Sequence, residues 1–83
     1  ADLYALSVVL FEMLCGDVPF DSKYVSAVLT MHISKTPPTL AAMAMDGATP
    51  ELEALVARGL AKEPADRFAT AVEMREALER LMA

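Results

Sequence analysis

Apolar residues recur at three- and four-residue intervals along most of the chain and nowhere alternate for long, so the pattern predicts an all-α fold of about four helices with no strands. The first helix is expected from about Asp2 to about Cys15, with Asp2 at its N-cap and Gly16 in the position where a left-handed residue closes a helix. Leu3, Leu6, Val8, Val9, Leu10, Phe11, Met13 and Leu14 place apolar groups on every side of it, with no polar stripe. A helix of that kind belongs in the interior of something. Gly16-Asp17-Val18-Pro19-Phe20 then reads as a turn and an extended dipeptide, because Pro19 lacks an amide donor and moves Val18 out of the helical region. Phe20 is expected to plug the core as the chain leaves.

A second, shorter amphipathic helix is predicted from after Asp21 or Ser22 to about Ile33, with Tyr24, Val25, Val28, Leu29 and His32 at helical spacing. Between Lys35 and Thr49, Pro37-Pro38 and Gly47 bracket the apolar cluster Leu40 to Met45, which reads as an ordered loop with room for one helical turn. Thr49 is a cap, Pro50 suits the first helical position, and Glu51 and Glu53 complement the positive end of a third helix. Its buried face is Leu52, Leu55, Val56 and Leu60, and it should stop near Lys62, since Pro64 cannot continue it. Thr70-Ala71-Val72-Glu73 is a capping box, so the last helix starts at Thr70, with Met74, Ala77, Leu78 and Leu81 on its apolar side.

Composition sharpens this picture. The chain has 83 residues, 55% of them hydrophobic, with a mean hydropathy of +0.38. That is a large apolar share for so small a body, and part of it is expected to face a partner. The opening at Ala1, without an initiator Met and with the helical pattern running by Leu3, is what a segment cut from a longer chain would show. The net charge of −5 and the scattering of seven Lys and Arg argue against a nucleic-acid partner. The single Cys15 and single His32 argue against a disulfide framework or a structural zinc site, leaving a reducing, cytoplasmic setting as the expectation. The apolar run Leu3 to Cys15 is too short to span a bilayer and carries Ser7 and Glu12, so no membrane contact is expected from these residues.

Two separated motifs carry a family resemblance. Asp2-Leu3-Tyr4-Ala5-Leu6-Ser7, followed by apolar residues, Glu12, two more apolar residues and a Gly two positions on, resembles the protein-kinase segment D-x-W/Y-S/A-x-G and the long central helix of the C-lobe that it opens. Val18-Pro19-Phe20 resembles the P-F that follows that helix, and Ala61 to Phe68 is similar to the family's L-x-x-D-P-x-x-R-F/P element. Thr70 to Leu81 continues as the family's last helix, and the His32-Ile33 region with Pro37-Pro38 resembles the bacterial Ser/Thr (Hanks-type) subgroup. Ser7 stands where the family has Gly, and Glu63 where it has Asp.

The resemblance implies that residues 1–83 are a C-terminal fragment of a kinase domain, an incomplete kinase-like fold. The Gly-rich loop, the paired Lys and Glu, H-R-D, D-F-G and A-P-E precede the central helix in the family, and none occurs in this chain. The implied parent uses ATP and Mg²⁺; the fragment itself is expected to hold no catalytic, cofactor or metal residue and to partner the remainder of the domain. A membrane anchor of the parent would lie outside this segment.

By the resemblance, Asp2 accepts backbone amides of the catalytic loop, and Arg67 pairs with the Glu of A-P-E. By the residues alone, Asp2 is a helix N-cap and Arg67 a solvated loop arginine; without its Glu, Arg67 is expected to face solvent or find a substitute carboxylate. Tyr4 is expected to be a core aromatic whose hydroxyl finds an acceptor. Tyr24, Val28, Met31 and His32 are the candidate contacts for protein substrates or regulators on the second helix. Rival readings are a free-standing helical interaction module, a pseudokinase remnant and a small membrane-associated bundle.

Overall fold

The computed structural model describes residues 2–43 and 45–82. Ala1, with the reading made of the chain's opening, Ala44 of the 40–45 cluster and Ala83 lie outside the described residues. Along the described chain run α1 (Leu3–Cys15), α2 (Val25–Ser34), α3 (Pro50–Gly59), a 3-10 turn (Pro64–Asp66) and α4 (Ala71–Met82), with no strand among the described residues. This is the all-α architecture the spacing predicts.

The ends of α1 follow local chemistry. Asp2 Oδ1 accepts from the amides of Tyr4 (3.0 Å) and Ala5 (3.2 Å), and Gly16 at φ 82° donates its amide to Glu12 O at 2.7 Å. α2 begins later than its spacing suggests. Asp21 Oδ1 takes the Ser22 amide (2.9 Å) and Ser22 Oγ takes the Tyr24 amide (3.2 Å), so these side chains shape a turn instead of capping a helix.

α3 carries the expected cap, Thr49 Oγ1 accepting the Leu52 amide at 3.2 Å, but ends at Gly59, short of Lys62. Two carbonyls just beyond its end are held by one side chain: Arg67 Nε donates to Ala61 O (2.6 Å) and Arg67 Nη2 to Lys62 O (3.0 Å). The 3-10 turn that follows was not legible in the spacing. At α4, Thr70 Oγ1 accepts the Glu73 amide (3.1 Å), while the Glu73 carboxylate reaches back to the amide of Ala69 at 3.3 Å, one residue beyond the usual return bond.

The core forms where α3 lies between α1 and α4. Phe11, Leu40, Leu55, Val56, Leu60, Phe68 and Met74 are buried together there, so the apolar faces expected of α3 and α4 meet as one body. Leu40 belongs to that core because its loop is tied down: Glu53 of α3 accepts the amides of Leu40 (2.7 Å) and Ala41 (3.2 Å), the start of the single turn expected in the loop. Phe20 is buried but packs outside this cluster, against the ring of His32.

The contact between α1 and α3 rests on two small residues. Ser7 is fully buried and donates its hydroxyl back along the helix to Leu3 O at 2.7 Å. Gly59 faces it so closely that a Cβ there would lie 2.9 Å from Ser7 Cβ. A side chain placed on α1 is thus accommodated by one missing from α3.

Candidate functional site

α1 is apolar all round, yet the rest of this chain covers only one side of it. Ser7 and Phe11 are buried beneath α3 and α4, while Leu6, Val9 and Met13 are 47%, 52% and 77% exposed. These three line the outer wall of a groove of about 190 Å³ whose other wall is Ala71, Met74 and Leu78 of α4. At the N-terminal end of the same helix sits the exposed carboxylate of Asp2, with both of its amide bonds falling on Oδ1.

Next to Asp2, residues from four segments converge. Tyr4 Oη lies 2.6 Å from His32 Nδ1 and shares a hydrogen bond with it, and the two rings meet edge to face with centroids 5.5 Å apart. Phe20 presents its ring to the imidazole in the same manner at 5.0 Å. The Arg67 guanidinium stacks 4.7 Å over the Tyr4 ring while bonding the carbonyls of Ala61 and Lys62, just beyond α3. Lys62 Nζ donates to Met31 O and His32 O, both at 3.1 Å, and sits 4.5 Å over Phe20. A cation bonded to the last carbonyls of a helix also complements its negative end.

The electrostatics follow from this packing. Burial raises the Tyr4 phenol above its usual value, opposed by Arg67 and aided by Asp2, so the hydroxyl keeps its proton. Burial, followed by repulsion from Arg67, lowers the Lys62 ammonium.

Several site residues sit differently from their sequence-based expectations. Arg67 neither faces solvent nor takes a substitute carboxylate: carbonyl oxygens satisfy it, and an aromatic face covers its plane, an arrangement suited to the flat guanidinium. Of the four residues singled out on the second helix, Tyr24 lies on the exposed face, whereas Val28, Met31 and His32 are half-buried toward the body of the fold. The outward stripe is Val25, Leu29 and Ile33, spaced four residues apart and 77%, 59% and 75% exposed. Lys62 and the pairing of Tyr4 with His32 had no local signal; these residues are brought together only by the fold. Among the described residues no group of three or more His, Cys, Asp or Glu could hold a metal, and no helix is long and apolar enough to cross a membrane.

No family model matches the chain. Individual proteins do. It is 41% identical over 81 residues to the serine/threonine-protein kinase PknB of Mycolicibacterium smegmatis, a match covering 98% of this chain and 13% of that protein. Over 79 residues it is 37% identical to the serine/threonine-protein kinase Pkn1 of Myxococcus xanthus, covering 95% of this chain and 11% of the relative. Over 84 aligned residues it is 37% identical to the serine/threonine-protein kinase PksC of Streptomyces coelicolor, covering 100% of this chain and 15% of the relative. The chain thus spans a small part of the length of each, yet the likeness runs through both of its motifs and every helix between them. With an all-α body and a central helix left bare on one side, this chain belongs to the bacterial Ser/Thr protein kinases, as a fragment of the catalytic domain drawn from its C-lobe.

Proposed function

We propose that residues 1–83 form the helical base of the substrate lobe of a Ser/Thr protein kinase, whose complete form transfers the γ-phosphoryl group of ATP, with Mg²⁺, to protein Ser/Thr hydroxyls. Among the described residues no group of three or more His, Cys, Asp or Glu could hold a metal, and no step of the transfer is assigned to this chain. The contribution of this chain is architectural. The observation that carries the reading is the bare side of α1, where Leu6, Val9 and Met13 stay exposed on a helix with the composition of a core. The remainder of the kinase domain is the partner of matching chemistry: an apolar layer over α1, with backbone amides within reach of Asp2. Arg67, already bound to its own lobe, anchors the junction from below. Protein substrates dock on the outer face of α2 around Tyr24, with Val28, Met31 and His32 supporting that helix from within. A cytoplasmic setting fits the single unpaired Cys15.

The decisive experiment is Asp2→Asn in the longer kinase that carries this segment. Asn caps a helix as well as Asp, so α1 should keep its stability, but a bond to a charged acceptor is about twice as strong as a neutral one. The expected result is a fall in kcat of about tenfold, or ~1.4 kcal/mol, with the melting temperature unchanged. Undiminished phosphoryl transfer in a well-folded Asn variant would remove the anchor role.

A further inference from the structure

α2 is attached in an unusual way. It contributes no buried residue, and its Val25, Leu29 and Ile33 face outward. The hydrogen bonds that tie it to the body gather at one end, on Met31 and His32, where Tyr4 Oη meets the His32 ring and Lys62 Nζ holds the carbonyls of both residues. Arg67 stands behind both links: its guanidinium covers the Tyr4 ring, and its Nη2 bonds the carbonyl of Lys62 itself. Displacing that one side chain therefore disturbs the phenol and the lysine together. An element with few buried apolar contacts opens at low cost relative to global unfolding, and one with a seated and a released arrangement can couple two sites.

We infer that α2 is a separately releasable helix, seated by a polar clasp of Tyr4, Lys62 and Arg67 on Met31 and His32, so that the state of Arg67 sets how the Val25, Leu29 and Ile33 stripe is presented. Coupling of this kind is reciprocal: seating α2 also holds Arg67 on Tyr4. The inference rests on the geometry of this chain and stands apart from the kinase reading.

Hydrogen exchange on the full chain tests it, comparing the wild type with Tyr4→Phe, Lys62→Met and Arg67→Lys. Tyr4→Phe removes one hydroxyl and leaves the ring, so amides of residues 25–34 should exchange about fivefold faster, the worth of one net hydrogen bond, while those of α3 and α4 stay within about twofold. Lys62→Met should accelerate the same segment more, because two bonds are lost. Arg67→Lys keeps the charge but not the planar fork, and should accelerate α2 although the partners of that guanidinium, Tyr4, Ala61 and Lys62, all lie outside α2. Unchanged exchange in α2 for Tyr4→Phe and Lys62→Met, or acceleration by one common factor in every helix, would overturn the clasp. Unchanged α2 exchange in Arg67→Lys alone would overturn the coupling.

Discussion

Ser7 and Gly59 make one steric unit although they lie far apart in the chain. Gly59→Ala would ordinarily improve a helix by up to about 1 kcal/mol, but here the new methyl meets Ser7 Cβ at 2.9 Å inside a packed core. Overpacking of that kind costs about 1–3 kcal/mol and wins. Removing the opposing side chain with Ser7→Gly should recover part of the loss, so a denaturation double-mutant cycle should show an interaction energy of at least about 0.5 kcal/mol; simple additivity would refute the unit. Tyr4 offers a second test at this scale. Its phenol is raised above 10.0 in the folded chain, with burial as the main cause. The proton is therefore held more tightly folded than unfolded, so the stabilisation is complete below pH 10.0 and is lost as pH rises through the higher folded value. Absorbance at 295 nm in a Tyr24→Phe variant should show the remaining phenol ionising above pH 10.0 in the native state and near it in urea.

At the scale of elements, side chains that hold loops matter as much as those that start helices. Glu53 accepts two amides of the loop that delivers Leu40 into the core. Glu53→Ala leaves both amides without their carboxylate and should cost about 1–3 kcal/mol in urea denaturation, with Glu53→Gln intermediate because one oxygen acceptor remains. A loss smaller than that of the cap variant Thr70→Ala, about 1 kcal/mol, would show that the loop seats itself without Glu53. The ion pair of Arg58 with Glu73 at 2.5 Å is a weaker device, since both groups are well exposed. Most helix ends could be read from the chain because caps act within four residues; Asp2, Gly16, Thr49 and Thr70 each do so. The start of α2 could not, since Asp21 and Ser22 have cap chemistry but spend it on a turn.

The molecule as a whole is a slab, 40 × 29 × 16 Å. Its thin dimension has room for two helices packed about 8–10 Å apart but not for a third layer, so this chain by itself cannot wrap α1 on both sides. The excised chain should bind ANS and self-associate through Leu6, Val9 and Met13, and Val9→Lys with Met13→Lys should abolish both. A sharp melt of the wild-type fragment with no dye binding would show that the bare side needs no cover. The same slab explains which site features were legible. Asp2 and Arg67 could be singled out because their motifs are contiguous. The aromatic face that Arg67 lies on could not, for Tyr4 meets Arg67 only after α1 and α3 cross.

What the sequence determined by itself is therefore local or periodic: four helices, their caps, an apolar α1 made for an interior, and two motifs spaced as in a kinase lobe. These follow from interactions within a turn or two of chain, where residue type and spacing are enough. Tertiary structure alone decided which side of α1 is covered, that Ser7 is met by a glycine, and that Arg67 rests on a phenol ring. It also turned Val28, Met31 and His32 inward and left Val25, Leu29 and Ile33 outside. Each of those depends on how two helices cross, and no spacing along a single segment encodes that angle.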